Sequence, residues 1–323
     1  MYKLNFFQMN NRIISLVIGV LFLGLSSCEK YEPYIKDYDF SAVYFAAQKP
    51  LRTIVAYDDM SFKVGVALAG KRENTQAEWA TYTIAPSLLT GTGLTLLPES
   101  YYTITNTQTG EANKMVIPAG KLIGDVTVTL NKAAFTGDPL SLLNTYAIPL
   151  KLLETSVDSI LSGKFDASGN ELLAPKDYTV LVVKYISPLH GVYYHKGVQK
   201  ELNAQGGVVN ETTYNVADLS RNQTWALSTL ALQEVQTSGA GTFATQGATN
   251  YGLKLTRKPD NTVTIEKAAG SKVTSLEGSG TYNEKDKTFI LNYKFTDQGK
   301  TYSVADTLVQ RQAPEKELVF EQW

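Results

Sequence analysis

The sequence is poor in residues that bind metals or form crosslinks, with one Cys and two His among its 323 residues. A lone Cys cannot form a disulfide within the chain, and so few thiols and imidazoles leave little material for zinc or iron. We therefore predict no metal and no cofactor. An excess of positive charge is also lacking, since 30 basic residues face 31 acidic ones. Because phosphate binding needs a basic excess or stripe, we predict no nucleic acid partner.

The common catalytic signatures are missing. None of G-x-S-x-G, H-E-x-x-H, G-x-x-x-x-G-K-[ST] or G-x-G-x-x-G occurs, which argues against the usual hydrolases, zinc proteases and nucleotide-binding enzymes. His190 and His195 are five residues apart at the start of a predicted strand, and an odd spacing sends strand side chains to opposite faces. We predict no catalytic residues and no metal site, and hence a protein that is not an enzyme.

The first apolar run is too short to cross a membrane. Residues 13–25 follow Lys3 and Arg12 and number thirteen, whereas a membrane-spanning helix needs about 20 apolar residues. This arrangement is typical of a secretory signal. The sequence Leu-Ser-Ser-Cys at 25–28 resembles the bacterial lipobox. The resemblance implies that residues 1–27 are a lipoprotein signal peptide and that Cys28 carries acyl chains, which anchor the chain without spanning the membrane.

The residues that follow Cys28 suggest a location. Residues 29–32, Glu-Lys-Tyr-Glu, are similar to the short acidic export tag of Bacteroides-type lipoproteins. That similarity implies an outer-membrane lipoprotein exposed at the cell surface, with the periplasmic face as the alternative. Residues 28–39 mix charged and aromatic side chains around one Pro and are predicted to be a tether.

Alternation of apolar and polar residues dominates the rest of the chain and predicts an all-β fold. Phe62, Val64, Val66 and Leu68 share one strand face, and this period of two recurs through residues 40–186. The length suits about two domains, and the first is predicted to be an immunoglobulin-like β-sandwich over 40–186. Pro149 lacks an amide donor, so its strand is expected at a sheet edge or at a bulge.

A second domain is predicted over residues 190–312. Eight successive strands, with 212–219 as the second of them, form an antiparallel meander that can close into a lipocalin-like β-barrel and so remove its exposed edges. A flattened two-sheet sandwich is the alternative. Residues 313–323 are expected to be a C-terminal tail.

Aromatic residues suggest a sugar site in this second domain. The chain has 19 Tyr and 3 Trp, and aromatic faces pack against sugar rings. We predict a carbohydrate-binding site of Trp225, Tyr193, Arg221 and Asn222. The alternative for Trp225 is core packing, because it shares a strand face with Leu227. Trp79 is equally ambiguous.

Several segments together resemble a known family. They are the lipobox, residues 42–48, 62–68, 146–151 and 191–194, and the ending at 280–282, 289–293 and 299–302. The chain is similar to two-domain Bacteroides-type surface lipoproteins that carry domains of unknown function and accompany SusC/SusD-like outer-membrane glycan uptake pairs. The resemblance implies a non-catalytic protein that binds polysaccharide or oligosaccharide beside such partners. Two alternatives stay open: an adhesive or structural lipoprotein that packs on a partner protein, and a glycan-processing enzyme.

The lipid anchor generates the first testable prediction. Changing Cys28→Ala removes the only residue that can receive the acyl chains, so the protein should leave the membrane fraction and appear in the soluble fraction. Fractionation and immunoblotting of cells that express either form measure this. A C28A protein that stays in salt-washed membranes would contradict the lipoprotein assignment.

Overall fold

The computed structural model describes residues 37–106, 109–111 and 113–323. The predicted signal peptide, Cys28 and most of the 28–39 tether lie outside these residues. Within them the fold is all-β, as predicted, and the one α-helix (α1) is Lys132–Gly137, which begins where the Asn131 side chain accepts the Ala134 N–H. No helix in the described part of the chain is long and apolar enough to cross a bilayer.

The described residues of the N-terminal domain form thirteen strands, several of them short. In chain order they are β1 Ala42–Tyr44, β2 Pro50–Val55, β3 Ser61–Ala69, β4 Glu78–Ile84, β5 Thr95–Leu96, β6 Tyr102–Thr105, β7 Lys114–Ile117, β8 Ile123–Leu130, β9 Tyr146–Thr155, β10 Ser159–Ile160, β11 Lys164–Phe165, β12 Glu171–Leu173 and β13 Tyr178–Ile186. Short 3₁₀ turns at Pro86–Leu89, Glu99–Tyr101 and Pro139–Leu142 connect some of them.

Two sheets of this domain enclose a shared core. One sheet has the order β10-β1-β3-β8-β6, and the other β2-β13-β9-β4-β7 with β5 beside β9 and a strand of the C-terminal tail, β25 (Glu321–Gln322), beside β2. Val66 and Leu68 are buried between the sheets, and Phe62 and Val64 pack against the same cluster. The alternation in β3 therefore produces the buried face that the sequence predicts, and the domain is the expected sandwich.

The strand of Pro149 is an interior strand with a bulge. This strand, β9, is not at an edge but lies between β13 and β4, and its pairing with β4 shifts register between Ala80 and Tyr82. The bulge alternative is therefore confirmed and the edge alternative is wrong. Pro149 pairs with Val180 of β13, and its carbonyl accepts the N–H of Ala85, just past the end of β4 at Ile84. In an antiparallel strand, the N–H and C=O groups of one residue point towards the same neighbouring strand. The N–H that Pro149 lacks would therefore point towards the end of β4, where that strand passes into a turn. An interior strand tolerates Pro there because no ladder bond is lost.

The C-terminal domain contains the remaining strands. They are β14 Gly191–Leu202, β15 Val208–Tyr214, β16 Gln223–Ala231, β17 Glu234–Thr237, β18 Gly239–Ala240, β19 Phe243–Ala244, β20 Leu253–Arg257, β21 Thr262–Lys267, β22 Thr274–Asn283, β23 Thr288–Asp297 and β24 Lys300–Gln310, followed by β25 Glu321–Gln322 in the tail. Further 3₁₀ turns lie at Leu219–Arg221 and Pro314–Lys316.

Eight of these strands close into a barrel, which confirms the barrel and not the flattened sandwich. The order is β14-β16-β17-β20-β21-β22-β23-β24, and β24 pairs back to β14. The strands that form the barrel differ from the predicted strands at two places. The predicted second strand, 212–219, is replaced by β15, which pairs with β14 outside the barrel, and β17, which was not predicted, completes the wall. β15 is polar and exposed along most of its length, so it has no inward face to bury.

The two domains meet at the end of the sandwich opposite the N-terminus. β1 starts at the same end at which β3 finishes, since Ala42 pairs with Ala69. β13 runs to the other end, where Ile186 pairs with Val55, and Ser187 follows directly. The Ser187 hydroxyl donates to the Leu232 carbonyl at 2.8 Å, so the junction is bonded to the barrel.

The predicted C-terminal tail, residues 313–323, returns to the N-terminal domain. β25 pairs with β2 at Pro50 and Leu51. The Trp323 indole N–H donates to the Val180 carbonyl at 2.7 Å, and the Lys49 ammonium lies 5.2 Å from the indole centroid. The last residue is therefore packed against the sandwich, and the tail joins the barrel to the first domain.

Trp323→Ala should lower the free energy of unfolding. It removes ring packing against a partly buried cluster and one hydrogen bond to a buried carbonyl, together about 1–3 kcal/mol. Urea unfolding followed by circular dichroism measures the change. Phe320→Ala is the matched control: it removes a ring from the same tail that is 60% exposed, and it should change stability by about 0.5 kcal/mol or less. Equal losses in both variants would contradict the docking role of Trp323.

Candidate functional site

The structure places two of the predicted sugar-binding residues in the barrel core. Trp225 is 4% exposed and Tyr193 is 0% exposed. The Trp225 ring stacks on the His195 imidazole with centroids 3.7 Å apart, and the Tyr193 hydroxyl donates to the Leu189 carbonyl at 3.0 Å. Both rings are covered by protein, so neither offers an open face to a sugar in this conformation.

The other two predicted residues lie on a surface turn. Arg221 is exposed at the end of the 3₁₀ turn Leu219–Arg221. The Asn222 side chain accepts the Val216 N–H at 2.9 Å and donates back to the Val216 carbonyl at 2.9 Å. Its amide is thus engaged in closing the turn. The structure pairs Tyr193 with Trp225 across two strands but does not bring all four residues to one cleft.

A buried polar cluster that the sequence did not reveal lies beside Trp225. Asp306 is 1% exposed, and its carboxylate receives the hydroxyls of Tyr293, at 2.6 Å, and of Tyr214. His195 Nε2 lies 3.0 Å from the same carboxylate, whereas His195 Nδ1 is buried with no hydrogen-bond partner. Because a carboxylate offers acceptors, His195 donates to it from Nε2. Burial and the Asp306 charge raise the pKa of Tyr293 and Tyr214, so both stay protonated donors.

Gly197 makes room for this cluster. A Cβ there would lie 2.3 Å from the Ala305 carbonyl oxygen and 2.7 Å from Asp306 Oδ1. Tyr214, which pairs with Gly197 from β15, reaches across the glycine to the carboxylate. The cluster therefore fastens β15 to the barrel. Its carboxylate, imidazole and Tyr293 hydroxyl are shielded from solvent, so we assign it a structural role.

An open groove of about 600 Å³ on the N-terminal domain has a different character. Half-buried Trp79 lines it together with Leu153, whose side chain is 56% exposed. The remaining lining mixes three acidic residues, Glu154, Asp158 and Asp177, and three hydroxyl residues, Thr155, Ser159 and Ser162, with the apolar residues Leu152, Val157 and Ile160. We call this the Trp79 groove.

The alternation of side chains between the two faces of β4 explains why Trp79 reaches the surface. Its neighbour Ala80 is buried in the core, so Trp79 points to the outer face of the sheet. It pairs with Val116 on β7, and the Lys114 ammonium on that strand lies 5.1 Å from the indole centroid. The backbone N–H of Trp79 donates to Ser156 Oγ at 2.8 Å. The backbone of Trp79 is thus bonded to the loop after β9, while its indole lies beside Lys114 of β7.

The charged wall of the groove is fixed in place. Asp158 Oδ2 accepts the Ser41 N–H at 2.8 Å and the Ser41 hydroxyl at 2.6 Å. These hydrogen bonds lower the pKa of Asp158, so the carboxylate is ionised at neutral pH. Asp177 lies 3.8 Å from the Lys151 ammonium. The groove therefore combines an aromatic ring with positioned hydrogen-bond acceptors.

A second groove, of about 700 Å³, lies on the outer wall of the barrel. Two ion pairs flank it, Lys200 with Glu211 at 3.4 Å and Lys294 with Glu277 at 3.7 Å. Its only aromatic lining residue among those described is Tyr293, which is 3% exposed. This groove offers no ring face for stacking. In the described ranges, no group of three or more His, Cys, Asp or Glu side chains is placed to hold a metal ion.

The fold and these grooves define the class: a two-domain all-β protein with a sandwich followed by a barrel. Family models match both parts, one for an N-terminal domain over residues 37–159 and one for a C-terminal domain over residues 190–309. The chain belongs to the two-domain family that these models describe. Comparison with curated proteins finds no significant match.

Solved structures from Bacteroides ovatus resemble the chain. A structural-genomics protein of unknown function is 22% identical with a TM-score of 0.70, over 88% of this chain and 98% of that one. This likeness supports the fold. Another protein of unknown function and a multidomain protein including DUF1735 are each 11% identical with a TM-score of 0.39; they cover 88% and 84% of this chain, and 100% and 94% of their own lengths.

Asp306→Ala should destabilise the barrel strongly. It leaves the buried Tyr293 hydroxyl, the partly buried Tyr214 hydroxyl and a buried imidazole without their acceptor, at a cost of about 3–5 kcal/mol. Urea unfolding measures the change. Glu277→Ala is the control, since it removes an exposed carboxylate from the same domain and should cost about 0.5 kcal/mol or less. If D306A unfolds at the same urea concentration as E277A, the cluster does not hold β15 and the barrel together.

Proposed function

We propose that this chain is a non-catalytic, lipid-anchored protein of the outer-membrane surface that binds polysaccharide or oligosaccharide in the Trp79 groove. The observation that carries the proposal is the half-buried Trp79 ring in an open groove whose lining combines acidic and hydroxyl residues with apolar ones. Sugar rings have apolar faces that pack on an indole and hydroxyl groups at their edges that need hydrogen-bond partners. The groove supplies both kinds of contact.

Glu154, Asp158 and Asp177 suit the sugar hydroxyls. An ionised carboxylate accepts hydrogen bonds only, and sugar hydroxyls are donors that can meet it. Asp158 is held by Ser41, so it is oriented before a ligand arrives. Preorganised acceptors of this kind reduce the entropy lost on binding. The same groove would disfavour anionic glycans, because three carboxylates line it.

Anchoring explains how weak binding becomes useful. Acyl chains on Cys28 would confine the chain to the membrane plane, where local concentration of a polymeric ligand adds to the intrinsic affinity. In this proposal the glycan is held near SusC/SusD-like uptake partners. Such a function needs no catalytic group.

An adhesive or structural role is the rival function, and one observation favours it. The β11–β12 hairpin exposes Phe165, Leu172 and Leu173, each more than half accessible. Exposed apolar side chains that cluster on a soluble domain often mark contact with another protein. In this role the chain would pack on a partner and would show no affinity for glycans.

Binding of the soluble chain, residues 29–323, to a panel of neutral and acidic polysaccharides tests the proposal. Affinity electrophoresis finds a ligand, and calorimetry gives its affinity. Trp79→Ala should weaken binding about tenfold or more, because losing about 1.4 kcal/mol of contact free energy changes affinity tenfold. Trp79→Phe should retain part of the affinity.

Two controls make this experiment decisive. Phe320→Ala removes an exposed aromatic ring outside the groove and should leave binding unchanged. Asp158→Asn should weaken binding while the fold, checked by circular dichroism, persists. If W79A binds as tightly as the unchanged chain, the ligand lies elsewhere. If no glycan binds, the partner-protein role is favoured.

A further inference from the structure

Four large apolar side chains are exposed at the end of the sandwich where the chain enters it. Tyr38 is 79%, Phe40 51%, Leu122 40% and Ile123 63% exposed. We call these residues the N-terminal patch. Isolated exposed apolar residues are ordinary on a protein surface, whereas a cluster of them is typical of an interaction surface.

Backbone contacts show that the patch is one region. The Tyr38 N–H donates to the Gly70 carbonyl at 2.9 Å, and the Leu68 N–H donates to the Leu122 carbonyl at 2.9 Å. Ile123 pairs with Ala67 on β3. The segments that carry the patch are thus adjacent through the end of β3, and neighbouring strands lie about 5 Å apart.

The patch also contains an apolar hollow. It has a volume of about 220 Å³ and is lined by Tyr38, Phe40, Ala42, Ala69, Gly70 and Leu161. None of these side chains carries a charge. The hollow suits an aliphatic group better than a polar ligand.

The length of the predicted tether indicates that the bilayer lies beside this patch. Nine peptide steps separate Cys28 from Asp37, so even a fully extended tether holds the start of the domain within about 32 Å of the lipid-bearing residue. Tyr38 is the next residue. The end of the sandwich that carries the patch is therefore kept beside the bilayer, while the barrel is attached to the other end.

We infer that the N-terminal patch rests on the lipid surface to which the chain is anchored, with Phe40 and Ile123 in the interfacial layer. This inference rests on the proposed acylation of Cys28. Tyr at the rim of such a contact keeps its hydroxyl in the polar layer while its ring is buried. Acyl anchoring and apolar contact then act together, and the patch fixes the orientation of the sandwich on the membrane.

The Trp79 groove adjoins the patch. Asp158 of the groove wall is bonded to Ser41, which lies between Phe40 and Ala42 in the chain, and Leu161 of the hollow lies between Ile160 and Ser162 of the groove. Contact through the patch therefore places the groove at the end of the sandwich nearest the lipid surface.

The single Cys of the chain makes a sharp test available. In the mature lipoprotein, Cys28 would be acylated, so an introduced Cys is the only free thiol. We would label Ile123→Cys with the fluorophore NBD and incorporate the full lipoprotein into vesicles of phosphatidylethanolamine and phosphatidylglycerol that contain a nitroxide-labelled lipid. Ile290→Cys is the matched control, because Ile290 is a strand residue of the barrel with 48% exposure.

The label at position 123 should shift to shorter wavelength and be quenched at least about twofold more than the label at 290, because only the former enters the interfacial layer. Equal quenching at the two positions in vesicle-bound protein would overturn the inference and leave the anchor intact. A chain that does not stay with the vesicles would overturn the anchor itself, and the inference with it. Circular dichroism of both labelled variants confirms that they are folded.

Discussion

The pairing of β14 with β24 is the constraint on which the C-terminal domain depends. Residues 193–202 pair with residues 301–310 and close the sheet into a barrel. The opposite edge of β14 is shared, because β16 takes its first residues and β15 takes the rest. β15 is consequently left outside the wall. The three neighbours of β14 thus determine that the barrel closes, that β15 lies outside it and where the chain leaves the barrel for the tail.

Closure also explains the buried charge. Pairing of Asp306 with Gly197 across the β14–β24 ladder directs the carboxylate inward, where an unpaired charge would be costly. Its donors come from three different strands: His195 on β14, Tyr214 on β15 and Tyr293 on β23. An apolar side chain at 306 would leave two tyrosine hydroxyls without the carboxylate that accepts their hydrogen bonds. The cluster therefore ties β15 to the barrel by satisfying polar groups that the closure itself buries.

Much of the fold could be predicted because it depends on local pattern. Period-two alternation in β3 and in the last strands reports a buried face directly, and eight successive strands leave few ways to avoid exposed edges. β15 and β17 were misjudged for the opposite reason. β15 buries almost no side chain, and β17 is four residues long, so neither shows a clear alternation. The edge and bulge alternatives for the Pro149 strand could not be separated from the sequence, because the proline does not show that β4 ends beside it.

The site could be predicted less well than the fold. An inward aromatic residue has the same sequence pattern whether it packs in a core or binds a ligand, so Trp225 could not be distinguished from a sugar platform. The partners of Asp306 are separated from it by up to 111 residues, and no local spacing connects them. The sequence did contain a signal for Trp79, because it alternates with Ala80 and Tyr82 along β4 and its side chain must point to the opposite face of the sheet. This signal can be used only when it is known which face of β4 is buried, and the structure shows that face.

The two ends of the sandwich differ in what they carry. The N-terminal patch lies at one end, and the barrel is joined to the other end by Ser187 and by the docked tail. Because β25 and Trp323 bind the first domain while Arg311 and Gln310 remain bonded at the barrel junction, the domains are connected twice. Two connections restrict hinge motion more than one. A chain held in this way transmits the orientation of the sandwich to the barrel, so the proposed contact of the patch with lipid would position surfaces across the whole molecule.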